Sequence, residues 1–217
     1  MGAHQNGGVV RIGVIADTHC PEFLQRLPDA VFEHFRGVDL ILHGGDVGGA
    51  GGEETLRRLG EIAPVEAVRG DHDAGLSGVP PRRELVVEGR RIGLVHGNRS
   101  RFVEEPVTFL GTITLGLFWP LPGLGRWLRR QFPNADVVVY GHTHRPAADR
   151  TGGALLFNPG AIYVVDEPEV RRRLARRPGW FEFSWLQVIR HRRDGPGASV
   201  GILEIEGDEI RPRIIHL

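Results

Sequence analysis

The sequence contains no lysine; all 27 of its Lys-plus-Arg cations are arginine, against 27 Asp plus Glu. The balance removes any net field that would draw the chain to nucleic acid or to an anionic membrane surface. Cysteine is almost as scarce. Cys20 stands alone, which excludes an intramolecular disulfide and fits a reducing compartment. The opening MGAHQNGG has neither the basic segment nor the apolar core of a signal peptide, so the expected location is cytoplasmic. Charge is missing altogether from residues 106–125, PVTFLGTITLGLFWPLPGLG, a stretch long enough to span a bilayer. Its prolines and glycines argue against a continuous spanning helix, and no transmembrane span is expected.

What remains is a pattern of alternating elements. VVRIGVIAD (9–17), DLILHGGD (39–46) and VEAVRG (65–70) read as buried strands, separated by helical patterns at PDAVFEHF (28–35) and EETLRRLGEI (53–62). Such alternation predicts a largely parallel sheet with crossover helices. ELVVEGRRIGLVHG (84–97) predicts a hairpin around Glu88, Gly89 and Arg90, ADVVVYGH (135–142) and ALLFNPGA (154–161) two further strands, and residues 198–217 a closing hairpin at Gly207-Asp208. The later chain is therefore expected to be mostly antiparallel. Nothing resembles an interdomain linker, so residues 1–217 are read as one domain. About 98–133 and 163–197 break the rhythm and are read as insertions with some helix of their own.

Five of these strands end in groups that bind protons or metals: Asp17-Thr18-His19, Gly45-Asp46, Gly70-Asp71-His72-Asp73, His96-Gly97 and Gly141-His142-Thr143-His144. In open α/β sheets, residues distant in sequence converge beyond the carboxyl ends of the strands. Taken singly, each has an ordinary explanation as a helix cap, a turn residue or a core histidine. Together, a mixed Asp and His set delivered by five strands is the donor set that a pair of divalent cations requires. If strand geometry persists through Asp17-x-His19 and His142-x-His144, both members of each pair face one way.

ADTHC, HGGDV, RGDHDA, LVHGN and YGHTHRP, in that order, with FNPGA following, resemble the signatures of the calcineurin-like metallophosphoesterases. Within them the chain is most similar to the small bacterial and archaeal phosphodiesterase branch. The resemblance spans roughly 9–97, 134–162 and 198–217. It implies a four-layer α/β/β/α sandwich of two mixed sheets flanked by helices. It also implies two divalent ions, one held by Asp17, His19, Asp46 and His144, the other by Asp46, Asp71, His96 and His142. Manganese is the expected metal, with iron, zinc, nickel and magnesium as alternatives. The implied reaction is hydrolysis of a small phosphate ester, most readily a diester, by a metal-bridging hydroxide, with His72 protonating the leaving oxygen. Asn98, just after His96-Gly97, is a candidate phosphate contact, with an ordinary turn asparagine as the favoured reading.

The chain departs from that family in two places. Asp71 stands where the family usually has asparagine, and the added carboxylate brings the formal charge of two divalent ions, three aspartates and a hydroxide to zero. Tighter metal retention and a preference for singly charged diesters are expected. The GGDVGGAGG segment also lacks the acidic residue that orients the acid histidine in larger members, and only Asp73 is near enough in sequence to substitute. The rival function is a catalytically weak, metal-binding scaffold for protein-protein contact. Arginines and aromatics mixed through 171–193 raise nucleic acid as a partner, but an amphipathic insertion with its aromatics packed on the core is the favoured reading. For 106–125 the expectation is a cap formed with the second insertion beside the site, with a homo-oligomer contact or interfacial membrane docking as alternatives.

Overall fold

The apolar runs form two five-stranded sheets in the computed structural model, which describes residues 8–99, 106, 109–110, 123–191 and 197–217. In the first sheet β1 (Val10–Ile15), β2 (Leu40–His43) and β3 (Val65–Ala67) run parallel, joined by α1 (Asp29–His34) and α2 (Gly52–Gly60). The second contains β4 (Arg82–Val87), β5 (Arg90–Val95), β6 (Val137–Val139), β7 (Ala147–Thr151) and β8 (Ala154–Asn158) in the order β4-β5-β6-β8-β7. Here β5, β6 and β8 are mutually parallel and the two edge strands antiparallel. The closing hairpin, β9 (Ser199–Glu206) and β10 (Glu209–His216), returns to the first sheet, where β9 pairs antiparallel with β1. Both expected hairpins form, with left-handed turns at Glu88-Gly89 and at Gly207.

Strand alternation sorts the side chains into layers. Ile12, Val14, Leu42, Val68, Ile92, Leu94, Val137, Val139, Leu155, Phe157, Leu203 and Ile205 form one core between the two sheets. On the outer face of the first sheet Ile15, Ile41 and Ile202 meet Val31, Phe35 and Leu59 from the α1 and α2 region. On the outer face of the second, Val95, Val138, Tyr140 and Leu156 meet Leu128 and Phe132 at α3 (Leu124–Gln131). The architecture is a four-layer α/β/β/α sandwich, as the resemblance implied. Two strand glycines accommodate aromatic rings of the outer layers: a Cβ on Gly13 would lie 3.0 Å from Phe35, and one on Gly93 2.5 Å from the Cγ of Phe132.

Two expectations differ from the structure, and a third falls outside it. β7 was not expected: AADRT lacks apolar alternation, and its partner β8, buried along its whole length, draws it into the sheet. The second insertion contains α4 (Glu167–Ala175), whose N-cap Asp166 accepts from the Glu169 amide at 2.9 Å, and α5 (Trp180–His191). Its aromatics do not all seek the core. Trp180 and Phe183 are 65% and 47% exposed, whereas Leu186 and Val188 are buried. The uncharged stretch 106–125 lies outside the described residues except for 106, 109–110 and 123–125. Among the described residues no helix is long and apolar enough to cross a membrane.

The fit at Gly93 is testable. Cγ is the root of the Phe132 ring and cannot swing aside, so Gly93→Ala should destabilise the fold by about 1–3 kcal/mol. Phe132→Ala removes Cγ and both Cδ atoms, so the double variant should lose less than the sum of the two single losses, read from urea unfolding midpoints. Additive losses would show that the two positions do not share one space.

Candidate metal centre

β1 stops at Ile15, and the chain then zips against the segment that leaves β2. Asp17 N donates to Gly45 O (2.9 Å), His19 N to Asp46 O (3.0 Å) and Cys20 N to Val47 O (2.8 Å). Between the two acidic turns lies a buried polar thread. Gly45 N donates to Nδ1 of His43 (3.2 Å), so the His43 proton sits on Nε2 and points to Thr18 Oγ1 at 3.0 Å, whose hydroxyl donates to Val47 O at 2.6 Å. Burial pushes His43 down to about 4 and keeps it neutral.

Asp17, His19, Asp46, His142 and His144 all have positive φ, between 45° and 66°. Non-glycine residues rarely adopt this region, and such strain concentrates at functional sites. Strand geometry therefore does not persist through Asp17-x-His19 or His142-x-His144. Left-handed turns aim these side chains, and the two histidines of the second pair join different clusters. Asp17, His19 and His144 form one, Asp71, His96 and His142 the other. Asp46 stands between them, with Oδ2 3.6 Å from Nε2 of His19 and 3.3 Å from Nε2 of His96. His72 also falls within reach of His19 and Asp46, while Asn98, two residues beyond His96, is half-buried.

The residues around these clusters hold the loops. Asp73 is fully buried and accepts from the amides of Val47, Gly48, Gly49 and Gly70 at 2.9–3.2 Å. With its carboxylate engaged by backbone, it does not orient His72. That contact belongs to Glu22, whose Oε1 is 3.3 Å from Nδ1 of His72. Neither Glu22 nor His43 was singled out in the sequence; the only signal for Glu22 was its place three residues after His19. Asn158 of FNPGA donates to Gly141 O and Thr143 Oγ1, bracing the turn that presents His142 and His144.

His96 shows whether a cation fits. Its Nδ1 donates to Gly44 O (2.9 Å), leaving Nε2 3.0 Å from Asp71 Oδ1 and near Asp46, yet without a satisfactory hydrogen bond. A neutral imidazole would turn a lone pair on two carboxylates, an arrangement that requires positive charge between them. In the metal-free chain a proton supplies it: burial alone would push His96 down, but Asp46 and Asp71 win and hold it well above its ordinary value. His144 follows the same logic, with burial opposed by Asp17, whose Oδ1 is 3.5 Å from Nε2. The carboxylates move the other way. Burial would raise Asp46, but His96 brings it to about 2, and His144 lowers Asp17 in the same manner.

The sign of the pH response follows. His96 and His144 have folded values above the unfolded value of about 6.5. Their contribution to stability is full below about pH 6.5 and is lost as pH rises through the folded values. Asp17 and Asp46 contribute above about pH 3.9 and lose that contribution as pH falls through their lowered values. Metal-free chain should therefore lose stability above about pH 6.5, while zinc or manganese affinity rises over the same range because the cation displaces these protons. Urea midpoints with and without chelator, and proton release by calorimetry in two buffers, measure both; affinity independent of pH would contradict the assignment.

Comparison with known proteins agrees with this geometry. Residues 10–172 match the Calcineurin-like phosphoesterase superfamily domain. The chain is 37% identical over 163 residues to a probable metallophosphoesterase of Methanothermobacter thermautotrophicus, covering 73% of this chain and 82% of the relative. It is 31% identical over 121 residues to phosphodiesterase YfcE of Escherichia coli K12, about half of each chain. The structure of vacuolar protein sorting 29 from Cryptosporidium parvum shares the fold with TM-score 0.64 at 20% identity, over 96% of this chain and 92% of that one. With the match covering most of its length and the acidic and imidazole turns of five strands gathered at one edge, the chain belongs to the calcineurin-like phosphoesterase superfamily.

Proposed function

We propose that the chain hydrolyses phosphodiesters with two divalent cations, one held by Asp17, His19, Asp46 and His144 and the other by Asp46, Asp71, His96 and His142. The observation that carries this reading is the position of Asp46, whose Oδ2 lies between Nε2 of His19 and Nε2 of His96. A carboxylate offered to both clusters is suited to bridge two ions, and Oδ1, engaged by the His72 amide at 3.0 Å, keeps it from rotating. When bound, such ions supply Lewis-acid charge at the phosphoryl oxygens and a water acidified to near-neutral pKa.

The remaining chemistry falls to the chain. In this reading His72 hands a proton to the leaving oxygen and Asn98 binds a phosphoryl oxygen. Asp71 adds a negative charge that favours a singly charged diester over a doubly charged monoester. We read the whole chain as one domain in which the second insertion forms a wall for the organic part of the substrate. A cavity of about 270 Å³ supports this: Glu22 and Phe23 line one side, and Glu169, Arg172, Arg173 and Arg176 the other. Phe23 packs on His19 with ring centroids 5.1 Å apart, so one wall of the cavity adjoins a residue of the metal centre. Manganese is the first metal to load, given the mixed imidazole and carboxylate donors.

Asp46→Asn and His142→Ala should each bring hydrolysis of bis(p-nitrophenyl) phosphate by manganese-loaded protein to background. Both variants should still unfold cooperatively; His142→Ala should move the metal-free chain by no more than about 1 kcal/mol, and Asp46→Asn should cost more, because it leaves the buried His96 without one of its carboxylate partners. Full activity in either variant would end the proposal. Wild-type chain that binds two equivalents of metal and turns over no ester would instead favour the scaffold reading. Asp71→Asn should weaken metal retention by about tenfold or more and raise the ratio of monoester to diester turnover. An unchanged ratio would show the extra carboxylate to be electrostatically silent.

A further inference from the structure

Glu22 belongs to neither cation cluster, yet its carboxylate bridges two imidazoles. Oε1 lies 3.3 Å from Nδ1 of His72 and Oε2 3.5 Å from Nδ1 of His19. The two rings stand nearly perpendicular, 87° apart, with centroids separated by 4.8 Å. An ionised carboxylate only accepts, so each Nδ1 presents its N–H to Glu22. The other nitrogen of each ring is then turned away. For His19 that nitrogen, Nε2, is the one aimed at Asp46. For His72 the same constraint leaves Nε2 as the atom that meets a bound substrate.

The surroundings make this setting selective. Asp46 takes the backbone amide of His72, and Asp73 is committed to four amides, so neither competes for the imidazole. Phe23, next to Glu22 in the chain, packs against the rings of both His19 and His72, and the Arg173 guanidinium lies 5.1 Å from the Phe23 centroid. Glu22 is about 31% exposed in its side chain, sheltered enough for a charge-assisted hydrogen bond to hold a ring in place.

We propose that Glu22 is the positioning residue for His72, fixing the Nδ1–H tautomer and turning Nε2 toward the leaving-group oxygen while holding His19 by the same carboxylate. The proposal rests on the phosphodiesterase reading above. In the reaction, water oxygen adds to phosphorus as the phosphorus–oxygen bond to the leaving group breaks. His72 reacts as the imidazolium, its Nδ1–H held on Glu22. The leaving oxygen takes the Nε2 proton and departs as an alcohol, the ring is left as the Nδ1–H imidazole, and the proton lost by water restores the imidazolium. Glu22 gains and loses no proton in this cycle.

Aid to the leaving group matters most when that group is poor, which gives a readout that general loosening would not move. At saturating manganese, where metal content is held at that of wild type, Glu22→Ala should lower kcat about 100-fold for diesters with a phenol leaving group and less than about fivefold for p-nitrophenol. Glu22→Asp should recover part of the loss. His72→Ala should show the same leaving-group dependence, and the double variant no further loss. A uniform loss across leaving groups, activity that tracks lost metal, or multiplying losses would overturn the proposal. Nitrogen-15 shifts of the imidazoles in zinc-loaded protein give an answer independent of turnover. Neutral His72 should carry its proton on Nδ1 in wild type and on Nε2 in Glu22→Ala; a proton already on Nε2 in wild type would refute the hold. If wild-type protein cleaves no diester, the phosphodiesterase reading and the leaving-group role fall together, and the tautomer still decides whether Glu22 sets His72.

Discussion

Two carboxylates removed from water beside each other, Asp17 and Asp46, set the terms for the rest of the molecule. Buried negative charge is tolerated only where positive charge meets it. His96 and His144 supply that charge as protons, and the same atoms are available to cations. The surrounding apparatus keeps this excess of acceptors from relaxing into a looser, wetter arrangement. The Asp73 carboxylate gathers amides from the turns after β2 and β3, and His43 and Thr18 stitch the turns after β1 and β2 together. Neither the strained φ values nor the close acceptors would persist in isolated loops.

Three glycines show how closely these turns approach one another. A Cβ on Gly70 would lie 2.1 Å from Asp46 Oδ1, one on Gly141 2.8 Å from Asp17 Oδ2, and one on Gly45 2.7 Å from His96 Nδ1. Each glycine therefore leaves room for an acidic or imidazole side chain presented by another strand. The glycine of each short motif is as much a part of the cluster as the Asp or His that follows it, although it contributes no donor atom.

The strands were legible because Val and Ile runs carry their own periodicity, and the converging residues because each run ends in an Asp or His, in four of the five beside a glycine. The paths of the turns were not legible. Nothing in ADTHC announces left-handed backbone at Asp17 and His19, since that conformation is imposed by hydrogen bonds to Gly45 and Asp46. Glu22 in HCPE and His43 in LILH read as a surface acid and a strand residue, because their partners, His72 and Thr18, come from other loops. β7 escaped notice for a related reason: its place in the sheet comes from β8, and its own residues are polar and mostly exposed. The exposed Trp180 and Phe183 show the limit of composition, which identifies aromatics without saying which side of a helix they occupy.

The register of β1 has a consequence for biosynthesis. Val10 pairs with Ile205 on one side of β1, while Ile12 pairs with Leu40 on the other. A chain emerging from the ribosome can assemble β1, β2 and β3 early, but one long edge of β1 stays open until β9, far along the sequence, has been made. Pairings so distant in sequence form slowly, and an unpaired edge invites other strands. The turn bearing Asp17 and His19 thus hangs from a strand that is enclosed only once β9 arrives, and the buried surroundings of these two side chains are a late product of folding.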